Sequence, residues 1–180
     1  MKKATIYIIT GSTGAGKTTY SRELCERTGA ARFSIDEWME KLFWMDSPKP
    51  IQYEWTIERI SRCEEMIFTM VLDLTKLGIS SVLDLGFTKA EHRAKFFDLA
   101  KVASLPYQLH WVDVAPDVRW QRVISRNQQR GKTFVMEVNR EMFDFMESIW
   151  EPPSSDELDG ANGVRFQGPK SAPDAALLRA

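Results

Sequence analysis

The most informative stretch of the sequence is GSTGAGKT at residues 11–18, which matches G-x-x-x-x-G-K-[ST] at every fixed position. Its three glycines allow the backbone to turn successive N–H groups inward, where they bind an anion. Lys17 is expected to reach the β- and γ-phosphates of a nucleotide, and Thr18 to offer a hydroxyl to Mg²⁺. The alternative is a glycine-rich turn with a chance lysine. We predict a phosphate-binding loop for ATP formed by Gly11, Ser12, Thr13, Gly14, Ala15, Gly16, Lys17, Thr18 and Thr19.

A carboxylate follows the next apolar run, in the stretch FSIDEW at residues 33–38. We predict that Asp36 accepts the proton of an attacking hydroxyl, because a side chain at the carboxyl end of a strand lies near the γ-phosphate. Ser34 is expected to lie within the strand, and Glu37 to rotate away as a helix begins. The alternative is that Asp36 only caps this helix.

Four arginines in one predicted helix are spaced three, four and four residues apart, so they share a stripe about 80° wide. No acidic residue occurs between Asp117 and Glu137, whereas solvated helix faces usually mix both signs. The pattern predicts a lid at about residues 119–135 whose guanidinium groups close on the triphosphate, with Gly131 as a hinge. The alternative is a basic surface face. The arginine stripe consists of Arg119, Arg122, Arg126 and Arg130, of which Arg122 and Arg126 are the foremost candidates and Arg130 the next.

Two further acids end apolar runs. Asp84 follows Val82 and Leu83 and is a candidate to hold Mg²⁺ or its waters, although it could equally cap a turn before Gly86. Asp113 has a weaker claim of the same kind.

The elements that must position these residues alternate between strand and helix. Short apolar strands are predicted at residues 4–10, 31–35, 81–87 and 107–114, and a further short strand at 163–167. Helices are predicted at about 17–28, 36–43 and 138–150, from Thr88 to about 103, and after Pro116. A further long helix is predicted from an apolar face between Ile60 and Leu77. Thr88 and Glu91 match a capping box. This alternation indicates a single three-layer α/β domain over residues 1–180, with a tail from about residue 168 that is expected to be mobile.

On GSTGAGKT, the acid in FSIDEW and the arginines of RWQRVISRNQQR, the chain resembles the small P-loop kinases, in particular the branch of zeta toxins, chloramphenicol phosphotransferase and polynucleotide kinase domains. The resemblance runs from about residue 4 to 153. It implies a P-loop NTPase fold with a five-stranded parallel sheet in the order 2-3-1-4-5. It also implies ATP and Mg²⁺ as cofactors, and an Asp at position 36 that activates the acceptor.

The predicted function is therefore transfer of the γ-phosphoryl group of ATP to a hydroxyl of a small molecule. One alternative is a polynucleotide 5′-hydroxyl kinase, against which the net charge of -1 counts mildly. Another is an ATP-dependent switch or binding module that hydrolyses ATP slowly. No membrane span or signal peptide is evident, and both cysteines are expected to be reduced, so a cytoplasmic location is predicted.

Aromatic residues and histidines complete the candidates. Trp38 and Trp44 flank the acceptor region and are either its lining or core residues. Phe134, Trp150 and the EPP turn at 151–153 are candidates to flank the adenine, although core packing explains the aromatic residues equally well. Both histidines are expected to be structural.

Overall fold

A five-stranded parallel sheet forms the centre of the computed structural model, which describes residues 3–131 and 137–167. Its order is β2-β3-β1-β4-β5, and every neighbouring pair is parallel. The predicted order 2-3-1-4-5 is therefore confirmed. The strands are β1 (Ile6–Thr10), β2 (Ala31–Ser34), β3 (Ser81–Asp84), β4 (Tyr107–Asp113) and β5 (Val164–Gln167).

Five of the seven described helices lie where the apolar patterns predict them; the helix Tyr53–Lys76 begins before the predicted apolar face, and the helix Ser155–Gly160 is not predicted. The first begins at Lys17 and ends at Thr28, and its backbone is closed by Gly29, whose N–H donates to Cys25 O at 2.8 Å. The described helices are α1 (Lys17–Thr28), α2 (Ile35–Leu42), α3 (Tyr53–Lys76), α4 (Ala90–Val102), α5 (Pro116–Gln129), α6 (Arg140–Ile149) and α7 (Ser155–Gly160).

Each face of the sheet has its own apolar core, because successive side chains of a strand point to opposite faces. Ile8 packs into a large core with residues of α3 and α4, such as Ile67 and Phe96. Its neighbour Ile9 packs into a second core with Leu24 of α1 and Val118 of α5. Helices therefore cover both faces, as the predicted three-layer α/β architecture requires.

The start of α4 differs from the prediction. Lys89, rather than Thr88, is the residue before the helix, and no side chain of the first turn caps it. The Thr88 hydroxyl donates to Gly86 O at 2.9 Å instead. The Ala90 N–H donates to Glu151 Oε2 at 2.8 Å, so a carboxylate from 61 residues further along the chain binds the free helix end. The predicted capping box is wrong because a tertiary contact supplies the acceptor.

Some predictions fall outside the described residues. The predicted lid corresponds to α5 up to Gln129, but residues 132–136, with Lys132 and Phe134, lie outside the description, as does the predicted mobile tail from about 168. Within residues 3–131 and 137–167, none of the helices has the length and apolar character needed to cross a membrane.

Both histidines have structural partners. His92 Nε2 lies 2.6 Å from Glu64 Oε1. His110 is buried in β4, where its Nδ1 lies 2.7 Å from the Tyr20 hydroxyl and its Nε2 lies 2.9 Å from Gln108 Oε1. A neutral ring protonated on Nε2 satisfies both contacts. Burial, together with the charge of Arg27, lowers the pKa of His110 from 6.5 to about 4.

We predict that His110 makes the fold acid-sensitive below neutral pH. Because its pKa is lower in the folded chain, the unfolded state binds an extra proton between pH 6.5 and pH 4, and stability falls as pH falls through that window. The expected loss from this residue at pH 5 is about 2 kcal/mol of unfolding free energy. Urea melts of the wild type and His110→Gln at pH 7.5 and pH 5 measure it. Equal pH dependence of the two proteins would contradict the assignment.

Candidate functional site

A cleft of about 880 Å³ opens at the carboxyl ends of β1, β2 and β3. This volume lies within the range of about 300–1,000 Å³ that is usual for small-molecule sites. The predicted loop at residues 11–19 forms its floor, together with side chains from α2, α5 and α6. Of the other predicted site residues, Asp36, Asp84, Arg122 and Arg126 line the cleft.

The loop is held tightly against the elements beneath it. Gly14 has φ +78°, and a Cβ at this position would lie 2.5 Å from Arg119 O. A Cβ at Gly11 would lie 2.6 Å from Val112 O on the neighbouring strand. Glycine is therefore required at both positions for packing, and at Gly14 also for the left-handed backbone.

Lys17 lies across this loop. Its Nζ donates to Gly11 O at 2.8 Å and to Ser12 O at 3.2 Å. Burial lowers the pKa of Lys17, and the charges of Asp84 and Asp36 oppose this effect. Among the described residues no carboxylate forms an ion pair with it, so its charge is available to an anion in the cleft.

Asp36 lies in the first turn of α2 and opens into the cleft. The residue before this helix is Ser34, so Asp36 does not occupy the capping position that was its alternative role. The side chain is exposed to the cleft, and partial desolvation there, with the charge of Asp84, raises its pKa. Lys17, Arg126 and other cations oppose the rise. A carboxylate in this setting is suited to accepting a proton.

Glu37 also lines the cleft, so it does not rotate away as the sequence analysis expects, but its carboxylate is held by two arginines. Its Oε1 lies 2.8 Å from Arg32 Nη1 and 3.0 Å from Arg22 Nη2. These bonds outweigh burial and lower the pKa of Glu37.

Asp84, the last residue of β3, is buried and already has a cationic partner. Arg32 Nη2 lies 3.1 Å from its Oδ2, and the Ser21 hydroxyl lies 3.3 Å from the same oxygen. Ser21 also donates to Thr18 O at 3.0 Å, so it connects Asp84 to the phosphate-binding loop. Sequence reasoning missed Arg32, although a charged residue within the short apolar strand ARFS was a signal.

The four members of the arginine stripe differ in their environments. Arg122 Nη1 donates to Ala15 O at 3.0 Å. Arg126 lines the cleft with buried Nε and Nη2 atoms that have no hydrogen-bond partner among the described residues. Burial lowers the pKa of Arg126, and Asp36 opposes this effect. Arg130 is the residue that follows α5, and its exposed side chain lies 3.6 Å from Glu137.

Arg119 does not face the cleft, contrary to the predicted stripe. It is buried, and its guanidinium binds both carboxylate oxygens of Glu147 at 2.6 Å. It also donates to Val114 O at 2.8 Å and to Thr13 O at 3.2 Å. Its acidic partner lies on α6, whereas the sequence pattern covered only acids close to α5 in the chain. Arg119 therefore joins α5, α6 and the loop instead of facing the cleft.

Glu147 also accepts a short hydrogen bond from the Ser12 hydroxyl. The bonds from Arg119 and Ser12 outweigh burial and lower the pKa of Glu147. Sequence reasoning missed this residue, because an acid in an amphipathic helix has no local signal. The contact makes the loop conformation depend on α6.

We predict that Glu147→Gln loosens the phosphate-binding loop without removing a group that touches a nucleotide. The amide cannot accept both Arg119 bonds, and the buried guanidinium loses its counter-charge. The expected result is a stability loss of about 3 kcal/mol and an ATP affinity about tenfold weaker. Chemical melts and nucleotide titration measure the two effects, with the exposed Glu141→Gln of the same helix as control. Unchanged ATP affinity would show that Glu147 only stabilises the fold.

Four other candidates lie away from the cleft. The EPP turn binds the start of α4 through Glu151, and Trp150 lies near Arg93, whose guanidinium carbon is 5.9 Å from the ring centre. Neither residue lines the cleft, so their predicted contact with adenine is not supported. Asp113 binds Arg165 at 2.6 Å. Trp44 does line the cleft, whereas Trp38 packs against Phe33 of the core.

The comparisons with known proteins agree on this architecture. No curated protein sequence matches the chain significantly. A solved structure from Chloroflexus aurantiacus J-10-fl has a TM-score of 0.68 at 19% identity and covers 93% of this chain and 86% of its own. Kti12 of Chaetomium thermophilum, in complex with ADP-AlF3, has a TM-score of 0.68 at 14% identity, with coverages of 90% and 88%. The Mycobacterium tuberculosis APS kinase CysC, in complex with AMPPNP and APS, has a TM-score of 0.61 at 15% identity, with coverages of 95% and 92%.

At these identities the likeness shows the fold alone. The fold is that of the P-loop NTPases, and small kinases are among the proteins that share it. The family profile goes further, because it matches residues 6–153 and so spans every residue of the cleft except Phe166. The chain belongs to the AAA_33 family of AAA domains.

Proposed function

We propose that this protein is an ATP-dependent phosphotransferase that transfers the γ-phosphoryl group to a hydroxyl of a small molecule. The proposal rests on one observation above all. Asp36 with a raised pKa, Lys17 without a carboxylate partner and the buried guanidinium of Arg126 all line one cleft beside the phosphate-binding loop. A base and two cations around one position are what phosphoryl transfer requires.

The reaction assigns a separate task to each group. The oxygen of the acceptor hydroxyl forms a bond to the γ-phosphorus, and the bond from that phosphorus to the β,γ-bridging oxygen breaks, which releases ADP. The hydroxyl proton passes to the Asp36 carboxylate. Lys17 and Arg126 stabilise the charge on the transferring group, and Arg122, bound to Ala15 O, supports the loop from α5.

Magnesium would be held by the Thr18 hydroxyl and, directly or through water, by Asp84. These residues fit the ion because both line the cleft and the contacts of Asp84 with Arg32 and Ser21 fall on Oδ2, which leaves Oδ1 toward the site. Mg²⁺ prefers oxygen ligands and usually binds through one or two carboxylates plus phosphate oxygens. When bound, it would neutralise charge on the β- and γ-phosphates. Among the described residues, no group of three or more His, Cys, Asp or Glu side chains could hold a metal without such phosphates.

A transfer assay tests the proposal. The protein is incubated with ATP labelled on the γ-phosphate and a set of hydroxyl compounds, and label is followed into both phosphate and product. Acceptor-dependent labelling of a small molecule is expected. Labelling only of a 5′-hydroxyl oligonucleotide would identify a polynucleotide kinase, and release of phosphate with every compound equally would identify a hydrolytic switch.

Arg126→Ala should lower the transfer rate more than it lowers ATP affinity, because charge on the transferring group develops in the transition state. Loss of one such donor typically costs about 10²-fold in kcat. Single-turnover rates and nucleotide titration separate the two effects. Arg62→Ala, on an exposed turn of α3, is the matched control. If Arg126→Ala turns over at the wild-type rate, its guanidinium has no part in the reaction.

A further inference from the structure

Beyond the phosphate-binding loop, the cleft is lined by residues of α2 and α6. They include Asp36 and Glu40 of α2 with Trp44 of the turn that follows. Met142, Phe145 and Met146 of α6 contribute the apolar part of the lining. If the proposed function is correct, this region receives the phosphate acceptor.

The lining that α2 and α6 supply contains the carboxylates of Asp36, Glu37 and Glu40 and, among the described residues, no cation. Of the cations that line the rest of the cleft, Arg22 binds Glu37, whereas Lys17 and Arg122 lie at the phosphate-binding loop, where their charges face the ATP phosphates under the proposed function. Arg126 lies close enough to Asp36 for each to shift the pKa of the other. Glu40 remains, with an ion-pair distance of 3.9 Å to an exposed Lys41 as its charged contact among the described residues.

The apolar side of the region is exposed. Phe145 is 62% exposed and Met142 is 42% exposed, although both line the cleft. These side chains are not what holds α6 to the domain. The helix packs through its other face, where the buried Phe143 contacts Trp120 at a ring distance of 5.2 Å. Exposed methionine and aromatic side chains beside a polar site typically contact the apolar part of a ligand.

We propose that the acceptor is an uncharged or cationic hydroxyl compound with an apolar or aromatic portion, and that Glu40 excludes anionic acceptors. The hydroxyl is presented to Asp36, and the apolar portion lies between Trp44 and Phe145. An anionic group beside the hydroxyl would face the Glu40 carboxylate as well as the ATP phosphates, and like charges brought together in a cleft disfavour binding.

Three compounds that share a phenyl ring and a hydroxyl but differ in charge test this inference. They are phenylethane-1,2-diol (neutral), 2-phenylglycinol (cationic) and 3-phenyllactate (anionic), with ethane-1,2-diol, ethanolamine and lactate as ring-free controls. Binding to the protein with Mg²⁺ and AMPPNP is measured by ligand-observed NMR. The neutral and cationic phenyl compounds should bind, and the phenyllactate and the ring-free compounds should bind at least about fivefold more weakly.

Two variants connect the result to the residues. Glu40→Gln should reduce the discrimination between phenylethane-1,2-diol and 3-phenyllactate by about fivefold, whereas the exposed Glu91→Gln of α4 should leave it unchanged. Phe145→Ala should weaken binding of the phenyl compounds without altering their order by charge. Preferred binding of the phenyllactate, or no binding by any phenyl compound, would overturn the inference. AMPPNP binding in the same samples reports separately on the proposed function, because its loss would remove the nucleotide site itself.

Discussion

Lys17→Ala should reduce phosphoryl transfer by about 10³-fold or more and weaken ATP binding. The lysine is placed across the loop by bonds to the carbonyls of Gly11 and Ser12, and among the described residues no carboxylate neutralises it. Both carbonyls are neutral, so the ammonium keeps its charge for phosphate oxygens. The variant keeps the glycine backbone, so residual nucleotide binding through N–H groups is expected. Transfer rates and ATP titration measure the two losses.

A second substitution tests whether the loss comes from the missing charge and not from a shortened side chain. Lys17→Met keeps most of the length of the side chain and removes only its charge, so it should fail in the same way while folding normally. Lys76→Ala on the exposed side of α3 is the matched control and should be indistinguishable from the wild type. Wild-type turnover by either Lys17 variant would refute the assignment of the loop as a phosphate site.

Asp36→Asn should bind Mg-ATP normally and lose about 10²- to 10⁴-fold in transfer rate. An amide cannot accept the hydroxyl proton, yet it has nearly the shape of the carboxylate. Because Ser34 is the residue before α2, a change at Asp36 leaves that position intact. Acceptor-dependent turnover and nucleotide affinity, measured on the same preparation, separate the chemical step from binding. The matched control is Asp73→Asn, an exposed acid of α3.

The pH dependence gives an independent measurement of the same residue. Desolvation and the charge of Asp84 raise the pKa of Asp36 above its ordinary value of 3.8. A base must be deprotonated to act, so kcat/KM should fall as the pH falls through this raised pKa. Asp36→Asn should lose that acidic limb of the profile. Retention of the limb in the variant would assign it to another group and leave Asp36 without the role of base.

Local patterns were sufficient for much of the fold and for the floor of the site. The loop at residues 11–18 was complete in the sequence, because a phosphate cradle is formed by consecutive residues whose spacing is visible in one chain. The bounds of α1 followed from the lysine that begins it and the glycine that ends it. The sheet order followed from family resemblance, and β5 had been a short strand candidate in the tail, although all four of its residues are exposed.

Tertiary structure decided how the polar side chains are paired. The spacing of the arginine stripe placed four residues on one helix face, but Arg119 is buried against Glu147 while Arg126 lines the cleft. The Glu151 carboxylate, and not the predicted capping box, binds the first turn of α4, and Arg32 neutralises Asp84. Helical and strand periodicity fixes which residues share a face, since it is a property of consecutive backbone angles. The charge that a side chain meets across that face comes from segments far away in the chain, and only the packing of the whole domain brings those segments together.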